Sequence, residues 1–225
     1  PLVTKVHAEA IRYAKRGWQI LLIGHKNHQE VVGTQGEAPD AIQIVETIDD
    51  IPRLEIIDPD KLAYVTQTTL STDDAETIIA ALRATFPNIH SPPTEDICYA
   101  TTKRQKAVRN NAINADLVLV IGSQNSSNSL RLTEIAETSG TKAYLLDDVS
   151  KLNPDWLENV NSILITAGAS APEHLVLDLI QHLTYNYGGK LESESKFDEG
   201  MTFSMPISLT TFLREKDVTI EGFSI

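Results

Sequence analysis

Residues 18–24 read Trp18-Gln19-Ile20-Leu21-Leu22-Ile23-Gly24 (WQILLIG), an unbroken apolar run that stops at a glycine. A strand with one wet face alternates apolar and polar residues. A continuous run belongs to a parallel strand covered by helices on both faces. The preceding segment agrees: residues 3–16 (VTKVHAEAIRYAKR) place Val3, Val6, Ala10, Ile11 and Ala14 at helical spacing, and Gly17 follows as a stop. The cadence then recurs. LAYVTQ (62–67) precedes a helical pattern at about 72–86 with Ile78, Ile79, Leu82 and Phe86 as its apolar stripe; LVLVIG (117–122) precedes one at 127–138, and SILITAG (162–168) one at 171–184. AIQIV (41–45) and KAYLLDD (142–148) read as further strands. This alternation predicts an α/β protein with mostly parallel sheets. The expected organisation is two similar α/β lobes, 1–95 and 96–187, with the boundary near Ser91-Pro92-Pro93-Thr94-Glu95-Asp96. A C-terminal tail, 188–225, follows, with a strand at MTFSMP and a short helix after it.

The totals narrow the function. With 225 residues, 41% of them hydrophobic and 22% charged, the chain can bury a sizeable core. No apolar run approaches the roughly 20 residues that span a bilayer. A net charge of -12 argues against nucleic-acid binding, which needs a basic face. The single cysteine cannot form an internal disulfide, so a reducing, cytoplasm-like compartment is expected. The chain opens on Pro1 with neither an initiator Met nor a signal-peptide pattern, and the expectation is that its start is missing.

In open α/β sheets, ligands collect at the carboxyl ends of the strands. Four such ends are polar and largely uncharged: GHKNHQEVVGT (24–34), TQTTLS (66–71), GSQNSSNS (122–129) and TAGASAPE (166–173). Hydroxyls, amides, imidazoles and helix N-terminal N–H groups can hold a phosphate without a basic patch. Plainer readings exist for each. Ser71 with Asp74 and Ser170 with Glu173 fit capping boxes, and the 126–129 run fits an N-cap neighbourhood. His25 and His28, spaced i,i+3, are a weak metal hint. Neither GxxxxGK[ST] nor GxGxxG is present. Cys98, in ICYATTKRQ (97–105) just before a helix-like segment, has three readings. It can be a small buried filler, a nucleophile with His28 as base, or a metal or cluster ligand in need of partners.

Taken together and in order, ICYATTKRQ, TQTTLS, GSQNSSNS, TAGASAPE and His28-Gln29-Glu30-Val31-Val32-Gly33-Thr34 resemble the 4-hydroxy-3-methylbut-2-enyl diphosphate reductase family, from residue 1 to about 185. The resemblance implies a terminal reductase of the non-mevalonate isoprenoid route. Such an enzyme removes the hydroxyl of an allylic alcohol diphosphate with two electrons and two protons, giving isopentenyl and dimethylallyl diphosphates. It further implies a [4Fe-4S] cluster on three cysteines and an external one-electron donor such as ferredoxin or flavodoxin. By position, Cys98 matches the last cluster ligand, Glu30 the acid, Thr68 a hydroxyl of the proton relay, and His28, Ser126, Ser127, Asn128 and Ser170 the diphosphate cradle. PLVTKVHAEA looks like the continuation of a family segment in which a ligand cysteine precedes the proline. The chain is therefore expected to be the second and third lobes of a three-lobed fold, inactive alone. The stretch after about 207 has no counterpart in the resemblance. Gln29 stands where many members have proline or glutamate, and Lys103 where asparagine is frequent. The rival readings are a diphosphate-binding module without redox activity and, less favoured, a hydrolase using Cys98.

Overall fold

The computed structural model describes residues 2–192 and 207–215. The chain divides into a unit spanning Pro1–Gly188 and one spanning Gly189–Ile225. The first unit runs α1 (Leu2–Lys15), β1 (Gln19–Ile23), α2 (Gln29–Glu37), β2 (Ile42–Val45), β3 (Leu62–Thr66) and α3 (Thr72–Thr85). It then repeats the order with α4 (Tyr99–Ala112), β4 (Leu117–Ile121), α5 (Ser127–Thr138), β5 (Lys142–Leu146), β6 (Ile163–Ala167) and α6 (Glu173–Tyr187). Two short 3-10 turns separate β2 from β3, and two separate β5 from β6. Each half builds a three-stranded parallel sheet, ordered β2-β1-β3 and β5-β4-β6. In the second unit, the described residues include helix α7 (Ile207–Glu215). The strand expected at MTFSMP lies outside the described residues.

The central strands are apolar on both faces because both faces are covered. Leu21 and Ile23 point into one core with Tyr64, Ile78 and Leu82, whereas Ile20 and Leu22 point into another with Val6, Ala10 and Val65. In the second half, Val118 and Val120 pack with Val108 and Leu132, and Leu117, Leu119 and Ile121 pack with Leu179 and Leu183. Each fully buried Leu or Ile contributes about 1.5–3 kcal/mol relative to exposure, which makes these strands the rigid base from which the loops project.

Two differences from the sequence expectation have clear causes. The segment 29–37 is a helix rather than loop; Gly33 and Gly36 and its nine residues weaken the helical signal, but His28 caps it and Val31 anchors it in the core. The capping box expected at Ser170 and Glu173 does not form. The residue before a proline is turned away from helical backbone, so Pro172 delays the start of α6 to Glu173 and serves as its N-cap, without a side-chain bond. At its far end α6 continues to Tyr187, where Gly188 stops it with φ of 70°.

Candidate active site

Both sheets present their strand ends through equivalent turns. Gly24 follows β1 and Gly122 follows β4, and each hands the chain to a helix N-terminus whose caps are His28 and Ser126. A Cβ on Gly122 would lie 2.7 Å from the Cβ of Ser129, and on Gly24 2.6 Å from a Val31 methyl. Only glycine lets the helices approach so closely. Since Gln67 N–H bonds the Ile23 carbonyl as Gly168 N–H bonds that of Ile121, the loops after β3 and β6 correspond too. Glu30 and Asn128 each stand two residues past their cap. The repeat therefore puts a carboxylate and a neutral amide at matching places in one unit.

Around Glu30 the geometry is tight. Thr68 donates its backbone N–H to Glu30 Oε1 at 2.6 Å and its hydroxyl to Oε2 at 3.1 Å. Burial pushes the Glu30 carboxyl above the ordinary range, and the two Thr68 bonds only partly oppose that. Thr68 in turn accepts the Cys98 N–H on its carbonyl at 3.0 Å, so Glu30, Thr68 and Cys98 are joined in series. Cys98 is the N-cap of α4, makes no capping bond with its side chain, and is half-buried.

His28 joins the two halves. Glu30 N–H donates to its Nδ1 at 3.2 Å, which leaves the proton of the neutral ring on Nε2; that nitrogen lies 2.6 Å from Ser127 Oγ and donates to it. The Ser127 O–H is then free to turn toward an anion. Ser126 accepts the Ser129 N–H at 3.3 Å and its hydroxyl bonds that of Ser129 at 3.1 Å. Asn128 is different. It is 6% exposed, and neither Nδ2 nor Oδ1 has a protein partner. Buried amides are rarely left so, and each unmade bond costs about 1–3 kcal/mol, which a bound polar ligand would recover. Ser170 stands exposed beyond Gly168 on the β6–α6 loop, and no hydrogen bond joins it to the others among the described residues. Of the residues the sequence singles out, His28, Glu30, Thr68, Cys98 and Ser127 are thus linked directly, and Ser126 and Asn128 adjoin them.

The sequence alone does not reveal what fixes these loops in place. Gln105 of α4 is wholly buried; its Oε1 accepts the Thr72 N–H at 3.1 Å and its Nε2 donates to the Leu70 carbonyl at 2.8 Å, pinning the loop that carries Thr68. Beside it Arg104 donates to the Ala167 carbonyl at 3.0 Å, pinning the loop that carries Ser170. Thr101, Gln105, Val108 and Ala112 share the buried face of α4, so a polar residue in an apolar helical stripe is the signal that could have marked Gln105. Asp96 steadies the other side of Cys98, with Lys5 Nζ at 2.7 Å and the Thr66 N–H at 2.9 Å. Replacing Gln105 with leucine should lower stability by about 2–4 kcal/mol, because it strands a buried carbonyl and an N–H. Thermal unfolding checks this, and an unchanged midpoint would mean that the loop finds other partners.

The family model described as LytB protein matches residues 1–184. This chain belongs to the LytB family. Among LytB relatives, the 4-hydroxy-3-methylbut-2-enyl diphosphate reductase of Rhodopirellula baltica is 50% identical over 216 residues, covering 96% of this chain and 68% of that protein. The reductase of the same name from Chromohalobacter salexigens is 53% identical over 214 residues, with 93% and 67% covered. The solved structure of the E-1-hydroxy-2-methyl-but-2-enyl-4-diphosphate reductase from Plasmodium falciparum matches with a TM-score of 0.81 at 38% identity, covering 96% of this chain and 69% of that one. The chain thus spans about two thirds of the length of its LytB relatives. Among the described residues no helix is long and apolar enough to cross a membrane, and no three His, Cys, Asp or Glu side chains gather as metal ligands.

Proposed function

We propose that the strand-end loops bind 4-hydroxy-3-methylbut-2-enyl diphosphate and serve its reductive dehydroxylation to isopentenyl and dimethylallyl diphosphates. The reaction removes the allylic hydroxyl as water with two electrons and two protons. One observation carries the reading. A half-buried carboxyl with an elevated pKa, held on both oxygens by Thr68, shares a site with a buried amide whose polar atoms are unpartnered. The first is a proton donor, the second a ligand donor.

The roles divide along the repeat. Ser126, Ser127, Asn128 and Ser170 grip the diphosphate through hydroxyls and amide, aided by the N-terminal N–H groups of α5, and His28 orients the Ser127 hydroxyl. Neutral donors suffice because the helix end supplies positive potential. On the other half, Glu30 gives a proton to the departing hydroxyl oxygen, with Thr68 holding the carboxyl in line. The cradle places the hydroxyl end and keeps it there, so the proton transfer takes place within a bound complex.

We infer from the motif resemblance that a [4Fe-4S] cluster fed by a one-electron donor such as ferredoxin or flavodoxin would supply the electrons. Such clusters are held by several thiolates, whereas this chain has one cysteine and no gathered ligand set among the described residues. These residues do not by themselves fit a cluster, and we infer that Cys98 contributes a single ligand to it. The test uses the protein expressed from its complete reading frame. Cys98→Ser should remove the iron–sulfur absorbance after anaerobic reconstitution and reduce turnover by more than about a hundredfold; a normal cluster spectrum in the variant would refute the ligand role. A binding module without redox activity is the alternative reading, and product formation from the substrate with reduced viologen decides between them.

A further inference from the structure

Glu30 is half-buried behind Thr68, and a reaction that consumes two protons must recharge it after each transfer. The seam between α1 and α2 holds groups that the proposed chemistry does not otherwise use. Glu30 and Glu37 lie seven residues apart on α2, two turns or about 10 Å along its axis, with Gly33 and Thr34 between them on the same face. His7 of α1 lies against this interval: a Cβ on Gly33 would stand 3.8 Å from both Cε1 and Nε2 of its ring. The two ring nitrogens have unlike surroundings. Nδ1 is 3.1 Å from Glu37 Oε1, whose side chain is 38% exposed. Nε2 is buried without a protein partner, and so is the hydroxyl of Thr34, a residue only 1% exposed. His7 is also close enough for its charge to act on Glu30.

A surface ion pair alone would explain Nδ1 but not the buried, unpartnered Nε2 and Thr34 Oγ1, because buried polar atoms are nearly always bonded. We propose that His7 resupplies protons to Glu30, taking them up on the Glu37 side at Nδ1 and releasing them from Nε2, directly or over a water bonded to Thr34 Oγ1. The balance is simple. For each proton that Glu30 gives away, one passes from solvent to the imidazole and one from the imidazolium to the Glu30 carboxylate; the ring, left with its proton on Nδ1, regains the Nε2–H tautomer by exchange before the next uptake, and no electrons and no heavy-atom bonds change. His7 acts through Glu30 and never touches the substrate. A Cβ at position 33 would meet the ring at ordinary contact distance, so His7 is packed directly on this face of α2.

This inference rests on the reading of Glu30 as the acid, and the test separates the two. In the complete protein His7→Ala should lower kcat about tenfold with KM unchanged, and imidazole in the buffer should restore much of the loss. His7→Gln, which fills the same space without carrying a proton, should behave alike. A second readout needs no turnover: after a pH jump, the infrared band of the protonated carboxyl that Glu30→Gln deletes should grow about tenfold more slowly in both His7 variants. Unchanged kcat and an unchanged protonation rate would overturn the proposal. So would a loss of kcat that imidazole does not rescue while the protonation rate stays normal, since that pattern belongs to a merely structural residue. Normal turnover in Glu30→Gln instead removes the reading of Glu30, an outcome distinct from an inactive Glu30→Gln beside unaffected His7 variants.

Discussion

Glu30→Gln should bind the diphosphate substrate with nearly wild-type affinity and reduce it roughly a hundredfold or more slowly. The amide fills the same space and its oxygen can still accept one Thr68 bond, so the loop geometry is largely kept. What is lost is the transferable proton. The pH profile gives the same argument a sign. Burial raises the Glu30 pKa and the Thr68 bonds only partly offset it, so the acid form persists to higher pH than for an ordinary glutamate. Turnover in the wild type should therefore fall as pH rises through that elevated value, and the limb should vanish from the residual activity of Glu30→Gln. Stopped-flow reduction measured across pH checks both. Turnover equal to that of the wild type would remove the proton-donor role.

Asn128→Leu should weaken diphosphate binding by about 10- to 100-fold, the value of one or two hydrogen bonds to a charged group. Its second effect runs the other way. In the unliganded protein the amide is buried and unpartnered, so an apolar side chain of the same shape should leave stability unchanged or raise it by up to about 1 kcal/mol. A residue kept only for packing would not separate the two quantities in this way, because its loss would lower stability and leave affinity alone. Asn128 is the matching position to Glu30 in the repeat, and both variants test one claim: the halves share a scaffold and divide the work, one holding the anion and the other supplying the proton.

Much of this scaffold was legible in the residues. The runs at 18–24 and 117–122 are apolar without interruption because β1 and β4 are central strands covered on both faces, and that pattern fixes the parallel sheets at once. Helix α2 was not legible, since Gly33 and Gly36 hide its period; its stability comes from the His28 cap and from packing, which a single sequence does not display. For the proposed site, the polar strand ends pick out the loops and the resemblance names residues in them. Their joining was beyond reach. Nothing in the spacing of His28 and Ser127, which lie 99 positions apart, implies a hydrogen bond, nor does the sequence show that Gln105 reaches back to Leu70 and Thr72. Such contacts arise only when two sheets pack with their strand ends converging. By its spacing Asn128 reads as a capping neighbour and by the resemblance as part of the diphosphate cradle, and its burial without a protein partner supports the second reading.

The central claim is that uncharged donors at the N-terminus of α5 hold the diphosphate. Calorimetric titration of 4-hydroxy-3-methylbut-2-enyl diphosphate into the complete protein and its Asn128→Leu variant, under anaerobic conditions, tests it most directly. The account predicts tight binding to the wild type, a loss of about 10- to 100-fold in the variant, and an equal loss when inorganic diphosphate replaces the substrate. Equal affinity of both proteins for either ligand would contradict it.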